Sequence, residues 1–483
     1  MNSFLLNRAQ GSIKPLDFHV AQTSRLVRLL EPSPRIRFTC EATTDGSNSE
    51  EHALNGGVSG EIVAHKAGVN ALAIDRYGGR YMVSGGADPS IRLWDLESRG
   101  SELGHLYNPV AVVDRATHES AHTHAITSIS IYPFDPTPAT VLTTSRDNTL
   151  KLSALTPGDI IPAHTFNLHT TPYSHSFSSH PASLLLIAVG TSERSIRLLD
   201  LRSGLATHTL PGHDAAVLSV AWAPHKPHIL ASSSADNRVL VFDVRRAGAN
   251  SAISALDMDD TTGVVLNIDK NQSSTRQHTS SRHGRAHNGA VTGVRWTSNG
   301  SHIITAGQDS RIRVWDATTG ANTLVHFGPR LRNSMSSHLA ERAPLVLPDT
   351  ILQSGQETLL WPNFNDQDDR GEILMFEIRE GTFVKQLKVP GIMSATRRQQ
   401  IGKSSALSAG RINALAWRGN GRSGEGLELF SAHGDGTIWT WASRVPGGEP
   451  DQEESNELEE RKRKRDVLEE IYQGLTGPPL SFT

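Results

Sequence analysis

The chain has 483 residues and a single cysteine, Cys40. One cysteine excludes an intramolecular disulfide, and a chain without disulfides is typical of a reducing compartment. As a catalytic nucleophile Cys40 is a weak candidate. It stands in a polar stretch with no nearby histidine to lower the pKa of its thiol.

Long apolar runs and a strong net charge are also missing. The longest apolar run, Leu184–Val189, is far shorter than the ~20 residues of a membrane-spanning helix, and the chain opens without a signal-peptide pattern. The net charge is −3, so no overall field attracts nucleic acid. We therefore expect an intracellular protein that makes no membrane contact and no direct nucleic-acid contact.

Motifs that would carry catalysis are scarce. The sequence has no phosphate-binding glycine loop, no G-x-S-x-G elbow and no C-x-x-C pair. One H-E-x-x-H match runs from His118 to His122, a spacing that places two imidazoles on one helix face for zinc. It stands directly before a predicted strand, Ala125–Tyr132, and no third ligand is evident. The sequence favours a non-enzymatic binding protein without cofactor or metal.

What the chain does contain is one spacing used repeatedly. A Ser or Thr stands four residues before an Asp, and an aromatic residue or its replacement stands six residues after that Asp. In four repeats a His precedes the Asp by 22 or 23 residues. Fixed offsets inside units of variable length indicate one structural unit reused many times. The sets are Ser84, Asp88, Trp94; Thr143, Asp147, Ser153; Ser232, Asp236, Phe242; Thr305, Asp309, Trp315; and Ser431, Asp435, Trp441, with His65, His124, His213 and His287.

Each repeat has the pattern of a strand, a tight turn and a second strand. Gly, Asp and Asn suit the turn, and the apolar residues of the second strand alternate, as Ile312 and Val314 do. The turn Asp can accept a hydrogen bond from the His, and the Ser or Thr and the Trp can extend the network. We predict that these sets are structural tetrads that satisfy buried polar groups between sheets.

The pattern resembles the WD-repeat β-propeller, whose blades are four-stranded antiparallel sheets. A sixth repeat contains Glu193 in place of the turn Asp and Leu199 in place of the Trp, and a seventh is expected between Thr323 and Val389 with Glu372–Ile378 as its third strand. The resemblance implies an all-β, seven-bladed propeller whose last blade is completed by an N-terminal strand. Both Ile36–Cys40 and Glu61–Ala64 are candidates for that strand.

The composition divides the chain into three parts. We predict an N-terminal helix-loop-helix over 1–35, the propeller over 36–445 with polar insertions at 43–60, 247–283, 329–343 and 393–410, and a charged tail over 446–483. The tail contains five consecutive basic residues, Arg461–Arg465. They are a candidate nuclear import signal, and a solvated charged helix is the alternative.

Two consecutive repeats end in Asp-x-Arg: Asp200 with Arg202, and Asp243 with Arg245. The Arg falls in the turn that leaves the third strand, at the bottom rim of a propeller. There a guanidinium can bind a partner or brace its own Asp. The pattern resembles the WD-x-Arg box of propellers that dock onto the damaged-DNA-binding adaptor of cullin-RING ubiquitin ligases. Here Leu199 and Phe242 stand where that family has Trp.

The segment before the repeats has its own pattern. Asn2–Ala9 and Ala21–Glu31 are predicted to form two short helices, and Pro32 ends the second. So short a pair is marginal alone. It packs either on its own propeller or in a groove of a partner. The apolar residues that would make the contact are Phe4, Leu5, Leu6, Leu26, Val27, Leu29 and Leu30.

Together the stretches MNSFLLNRAQG, RLVRLLE and GANTLV and the Asp-x-Arg repeats resemble the Cockayne syndrome A family, over about residues 1–330. The resemblance implies a nuclear substrate receptor of a cullin-four ubiquitin ligase in transcription-coupled nucleotide excision repair. It would bind the adaptor through the N-terminal helices and the arginines, and it would present the Cockayne syndrome B remodeller and RNA polymerase II. A WD-repeat scaffold in RNA processing or ribosome assembly explains the blades equally well. It does not explain the Asp-x-Arg repeats or the N-terminal helices.

Overall fold

The structure is a computed structural model in which almost all regular structure is β-strand. In the part of the chain that it describes, helix occurs only at 23–28, and no helix there is long and apolar enough to cross a bilayer. The described residues are 23–40, 62–76, 78–99, 104–134, 140–156, 158–178, 185–246, 251–263, 284–333, 341–348, 357–365, 370–390, 410–419 and 427–443.

The strands follow the repeats. Before the repeats come β1 (Leu30–Pro32) and β2 (Ile36–Phe38). The first three repeats contain β3 (Val69–Ile74), β4 (Tyr81–Gly86), β5 (Ile91–Asp95), β6 (His105–Tyr107) and β7 (Ala111–Val113); β8 (Ile126–Ile131), β9 (Thr140–Ser145), β10 (Thr149–Thr156) and β11 (Asp159–Asn167); and β12 (Pro172–Phe177), β13 (Leu186–Thr191), β14 (Ser195–Asp200) and β15 (Leu205–Pro211).

The remaining four repeats continue the series. They contain β16 (Val217–Trp222), β17 (Ile229–Ser234), β18 (Val239–Asp243) and β19 (Ala252–Ala255); β20 (Val291–Trp296), β21 (His302–Gly307) and β22 (Arg311–Asp316); β23 (Leu345–Val346), β24 (Thr358–Asn365), β25 (Arg370–Glu377) and β26 (Phe383–Lys388); and β27 (Ile412–Arg418), β28 (Glu428–His433) and β29 (Ile438–Ser443).

These strands form seven antiparallel sheets, which we number as blades 1 to 7 in chain order. Six blades have four strands, and blade 5 has three in the described residues. The first strands of blades 1 to 6 contact one another in sequence, β24 of blade 6 contacts β27 of blade 7, and β27 contacts β3 of blade 1, so the ring is closed. The predicted seven-bladed propeller is confirmed.

The meander within each blade defines two faces. Because successive strands are antiparallel, the connections between blades and the turns between second and third strands lie on one face, here called the top. Turns between the first and second strands, and between the third and fourth, lie on the bottom. The first strands surround the axis of the ring, here called the central channel.

The strand that completes blade 7 differs from both sequence candidates. It is β1, in which Leu30 pairs with Ser443 and Pro32 with Trp441. The candidate Ile36–Cys40 contains β2, which instead runs parallel to β6 beside blade 1. The predicted second helix therefore ends earlier than expected, because its last residues serve as a strand.

The two weaker repeats form regular blades. Blade 3 contains the repeat with Glu193, as β13 pairs with β14 on either side of that turn. In blade 6 the predicted third strand is β25, paired with β24 and β26. The tail over 446–483 lies outside the described residues.

Candidate partner-binding site

The tetrads occupy the space between sheets. In blade 1, His65 Nε2 lies 2.7 Å from Ser84 Oγ, His65 Nδ1 lies 3.1 Å from Asp88 Oδ1, and Trp94 Nε1 donates to Ser84 Oγ at 2.9 Å. In blade 4, His213 makes the same contacts to Ser232 (2.7 Å) and Asp236 (2.9 Å), with the buried Phe242 at the Trp position. The set in blade 5 is His287, Thr305, Asp309 and Trp315.

Blade 2 corrects one predicted residue. The histidine of its tetrad is His122, whose Nδ1 lies 2.8 Å from Asp147 and whose Nε2 lies 2.9 Å from Thr143. His124, the predicted member, is exposed. The constant offset runs from the His to the first strand, which begins four residues later in blades 1, 2, 4 and 5, whereas the loop between β8 and β9 varies the distance to the Asp.

The same contacts explain the H-E-x-x-H match. Both ring nitrogens of His122 are engaged by Asp147 and Thr143. The motif therefore carries a tetrad histidine at its second position. Among the described residues, no group of three His, Cys, Asp or Glu side chains is arranged to hold a metal ion.

Electrostatics keeps the tetrad carboxylates charged. Burial raises the pKa of Asp88, but hydrogen bonds and charge from His65 lower it further, so the net pKa falls well below the ordinary value. The pKa of Asp309 is lowered in the same way by His287 and Arg313. Burial lowers the pKa of His65 and His287, so the rings are neutral near pH 7. A charged acceptor and a neutral ring therefore stabilise the network.

Blade 7 has a rearranged tetrad that the spacing did not reveal. His433, two residues after Ser431 on the same strand, places Nε2 2.9 Å from Ser431 Oγ, and Trp441 Nε1 donates to the same oxygen at 2.9 Å. The histidine thus comes from β28 and not from the preceding loop. Alternation along a strand gives the signal, since residues two apart face the same side.

The Asp-x-Arg turn of blade 4 lies on the bottom rim. Asp243 is 2% exposed and accepts from Arg245 Nε at 3.0 Å and from an Arg245 Nη at 2.8 Å. Burial raises the pKa of Asp243, and the hydrogen bonds from Arg245 lower it to below the ordinary value. The Arg245 side chain is still 57% exposed. It braces its own Asp, and more than half of its side-chain surface remains exposed.

The equivalent turn of blade 3 is more open. Asp200 accepts from the backbone N–H of Arg202 at 2.9 Å. Arg202 is exposed, and within the described residues its guanidinium makes no hydrogen bond or ion pair. The two arginines therefore present cationic donors at the bottom ends of neighbouring third strands, β14 and β18.

The described part of the N-terminal segment packs on the ring itself. Val27 is 1% exposed and Leu30 is fully buried, in a cluster with Leu360, Met375 and Trp441 of blades 6 and 7. The prediction that these two side chains contact a partner is wrong, because the strand that closes the ring draws them into its core. Lys385 Nζ donates to the Leu30 carbonyl at 2.8 Å and fixes the segment to blade 6.

The other apolar residues of this segment have different places. Leu26 is half-buried against the same cluster, and Leu29 is half-buried in the turn between the helix and β1. Phe4, Leu5 and Leu6 lie outside the described residues. Of the seven apolar side chains predicted for docking, two are therefore structural, and the partner contact of the other five stays a prediction.

Comparison with known proteins agrees with the blades. The model of the family described as "WD domain, G-beta repeat" matches residues 56–95, 115–152, 204–243 and 278–316, which fall in blades 1, 2, 4 and 5 or lead into them. The "WD repeat-containing protein ATCSA-1" of Arabidopsis thaliana is 29% identical over 318 residues, covering 55% of this chain and 70% of the relative.

Other relatives carry a different name. The "Ribosome biogenesis protein ytm1" of Aspergillus clavatus is 28% identical over 275 residues, and that of Neosartorya fischeri is 27% identical. Each match covers 53% of this chain. The chain in turn spans about half the length (53%) of these ytm1 relatives. The chain is thus a seven-bladed β-propeller in which four stretches match the WD-repeat model.

Proposed function

We propose that the protein is the non-catalytic substrate-recognition subunit of a cullin-four ubiquitin ligase and acts in transcription-coupled nucleotide excision repair in the nucleus. The observation that carries the proposal is the pair of exposed arginines, Arg202 and Arg245, at the bottom ends of consecutive blades. The similarity to ATCSA-1, whose name points to the family that the sequence resembles, supports it.

The rim geometry suits the docking of a protein partner. Arg245 is held by Asp243, so little conformational freedom is lost when its exposed side binds a carbonyl or carboxylate. Arg202 is exposed, and its guanidinium can donate from both sides of its planar group to the partner. We propose the damaged-DNA-binding adaptor of the cullin-four ligase as this partner, with Phe4, Leu5 and Leu6 as a second contact.

A bottom-bound adaptor leaves the top face free for substrate. In the proposal that face presents the Cockayne syndrome B remodeller and the RNA polymerase II complex. The propeller does no chemistry; it raises the effective concentration of acceptor lysines near the charged ubiquitin-conjugating enzyme.

The test is co-purification of the full chain with the adaptor. Arg202→Glu should weaken adaptor capture by about tenfold or more, since it replaces a charge-assisted donor by a repelling carboxylate. Arg194→Glu is the matched control, because Arg194 is exposed in the same blade at the turn between β13 and β14, on the opposite face. If the two variants bind the adaptor equally well, with unchanged thermal unfolding, the rim is not the docking site.

The ytm1 relatives favour a second candidate, a scaffold role in ribosome biogenesis. It predicts that the tagged chain co-purifies with pre-ribosomal RNA and assembly factors and that Arg202→Glu leaves this association unchanged. Recovery of the adaptor and no ribosomal precursor would exclude this second role, and the converse would exclude the first.

A further inference from the structure

Two of the five large apolar side chains that are exposed in the described part of the chain lie close together on the outer side of the ring. Leu324 is 65% exposed and lies after β22 in the stretch GANTLV, which the repeat spacing does not require. Phe383 is 41% exposed and begins β26, the outermost strand of blade 6. A Cβ at Gly381 would stand 2.8 Å from Val325 Cγ1, so the chain next to Leu324 passes directly over the turn before Phe383.

Leu324 has an unusual backbone conformation. Its φ is +58°, in the left-handed region that bulky side chains rarely adopt, whereas Asn148 and Asn237 adopt it in the tight turns of their repeats, as Asn commonly does. The conformation is fixed, because the Leu324 N–H donates to Asn322 Oδ1 at 3.1 Å and Asn322 Nδ2 donates to the Met258 carbonyl at 2.8 Å. A leucine is therefore held exposed at a position that suits Asn or Gly better, and strain of this kind is typical of functional sites.

Phe383 is fixed by ring contacts and has a cation beside it. Its ring lies edge-on to the buried Phe376, with centroids 5.7 Å apart, and Phe376 packs against Phe327 of the segment that follows Leu324. The guanidinium of Arg330 lies over the Phe383 ring, 4.6 Å from its centroid. The Arg330 side chain is exposed and has no carboxylate partner among the described residues. Apolar surface and a positive charge without a counter-charge thus lie side by side.

The charge around these residues is mainly positive. Arg332 and Arg379 are also exposed, and within the described ranges neither forms an ion pair; Arg332 Nη1 donates to the Pro329 carbonyl at 3.2 Å. Arg379 lies two residues before Gly381, and the exposed acid of that turn is Glu380. A symmetric contact between two copies of this surface would bring its arginines against each other. Charge therefore favours an acidic partner over a second copy of the chain.

We propose that Leu324, Phe383 and Arg330, here called the outer patch, bind an acidic peptide segment of a partner protein that also carries apolar side chains. The apolar side chains cover Leu324 and Phe383, and the carboxylates pair with Arg330. Because the hydrogen bonds of Asn322 and the ring contacts of Phe383 fix the outer patch in the unbound chain, little conformational freedom is lost on binding. The outer patch is separate from the bottom-rim arginines, and it does not depend on the ubiquitin-ligase proposal.

The test is the fluorescence anisotropy of a short labelled peptide in which Leu alternates with Asp or Glu, titrated with the full chain at neutral pH. We expect saturable binding that is about tenfold or more weaker in Leu324→Asn, Phe383→Ser and Arg330→Glu. Leu324→Asn is the sharpest variant, because Asn tolerates the left-handed conformation, so only the apolar side chain is lost. Ile161→Ser is the matched control, since Ile161 is 47% exposed on β11, the outermost strand of blade 2, and its replacement should leave the affinity unchanged. Thermal unfolding of each variant checks that it folds.

Two further peptides test the chemistry of the partner. A peptide with Lys in place of the acids should not bind, and one with Ser in place of Leu should bind about tenfold or more weakly. Equal affinity of the wild type and Leu324→Asn, equal binding of the Lys peptide, or no binding by the folded wild type would overturn the proposal. A concentration-dependent dimer in analytical ultracentrifugation that Leu324→Asn abolishes would also overturn it, because the outer patch would then bind a second copy of the chain.

Discussion

Blades 5 and 3 solve the same packing problem with opposite chemistry. In blade 5, His287 lies 2.9 Å from Asp309 and 2.8 Å from Thr305 Oγ1, which also accepts from Trp315 Nε1 at 2.9 Å. In blade 3 the corresponding positions are Leu168, Val189, Glu193 and Leu199. The three apolar residues are 0–1% exposed and share one cluster. A buried polar network has been replaced by an apolar one.

The three buried positions of this set in blade 3 are all apolar, whereas the exposed turn position keeps an acid. Removing one member of a hydrogen-bonded set leaves its partner unsatisfied, whereas replacing all members by apolar groups can be nearly neutral. Blade 3 has no tetrad His, Ser or Trp, and only the turn acid persists, as the exposed Glu193, which pairs with Arg197 at 3.1 Å. The blade therefore needs apolar packing where blade 5 needs hydrogen bonds.

The largest effect is expected from breaking the apolar set. Leu199→Ala should destabilise the protein by about 2–5 kcal/mol, because it removes a fully buried side chain and leaves a cavity. The measurement is the free energy of unfolding in urea. Leu205→Ala is the matched control, since Leu205 lies in the next strand of the same blade and is 67% exposed. A cost for Leu199→Ala no larger than that of the control would show that blade 3 does not depend on this packing.

A smaller effect separates the two turn acids. Asp309→Ala should cost about 1–3 kcal/mol, because it leaves the buried His287 Nδ1 and the Arg313 Nη1 without their carboxylate acceptor. Glu193→Ala should cost less than about 0.5 kcal/mol, since Glu193 is 44% exposed and its ion pair is screened. Chemical denaturation of both variants decides the point. Similar losses of stability in the two variants would mean that Asp309 stabilises only its turn and not the hydrogen-bond network.

The comparison also shows why much of the ring was predictable. Residues that bond to each other within a blade are separated by constant distances in sequence. The spacing of Ser84, Asp88 and Trp94 therefore predicts two strands and the turn between them. Blade 3 is predictable despite its lost tetrad, because the alternation in Ser195–Asp200 persists. His122 does not follow the His-to-Asp spacing, because the chain between it and Asp147 contains a loop of variable length.

Other features have no local signal. The closing strand β1 has three residues, and its partner β29 lies about 400 positions away in sequence (Leu30 with Ser443). A pattern such as RLVRLL predicts a helix, but in the structure its last leucine, Leu30, belongs to β1 and pairs with β29.

The smallest expected effect concerns acid. The pKa of Asp309 is lowered in the folded state, so below its ordinary value of 3.8 the unfolded chain binds a proton that the folded chain does not. The contribution of Asp309 to stability is therefore complete above about pH 5 and is lost as the pH falls toward its folded pKa. Asp309→Asn lacks this linkage, so between pH 5 and 3 it should lose about 1 kcal/mol less stability than the wild type. Urea unfolding at both pH values measures the difference, with Glu193→Gln as the control that should follow the wild type. Parallel losses in the wild type and Asp309→Asn would show that the carboxylate is not held in its charged form by the blade 5 network.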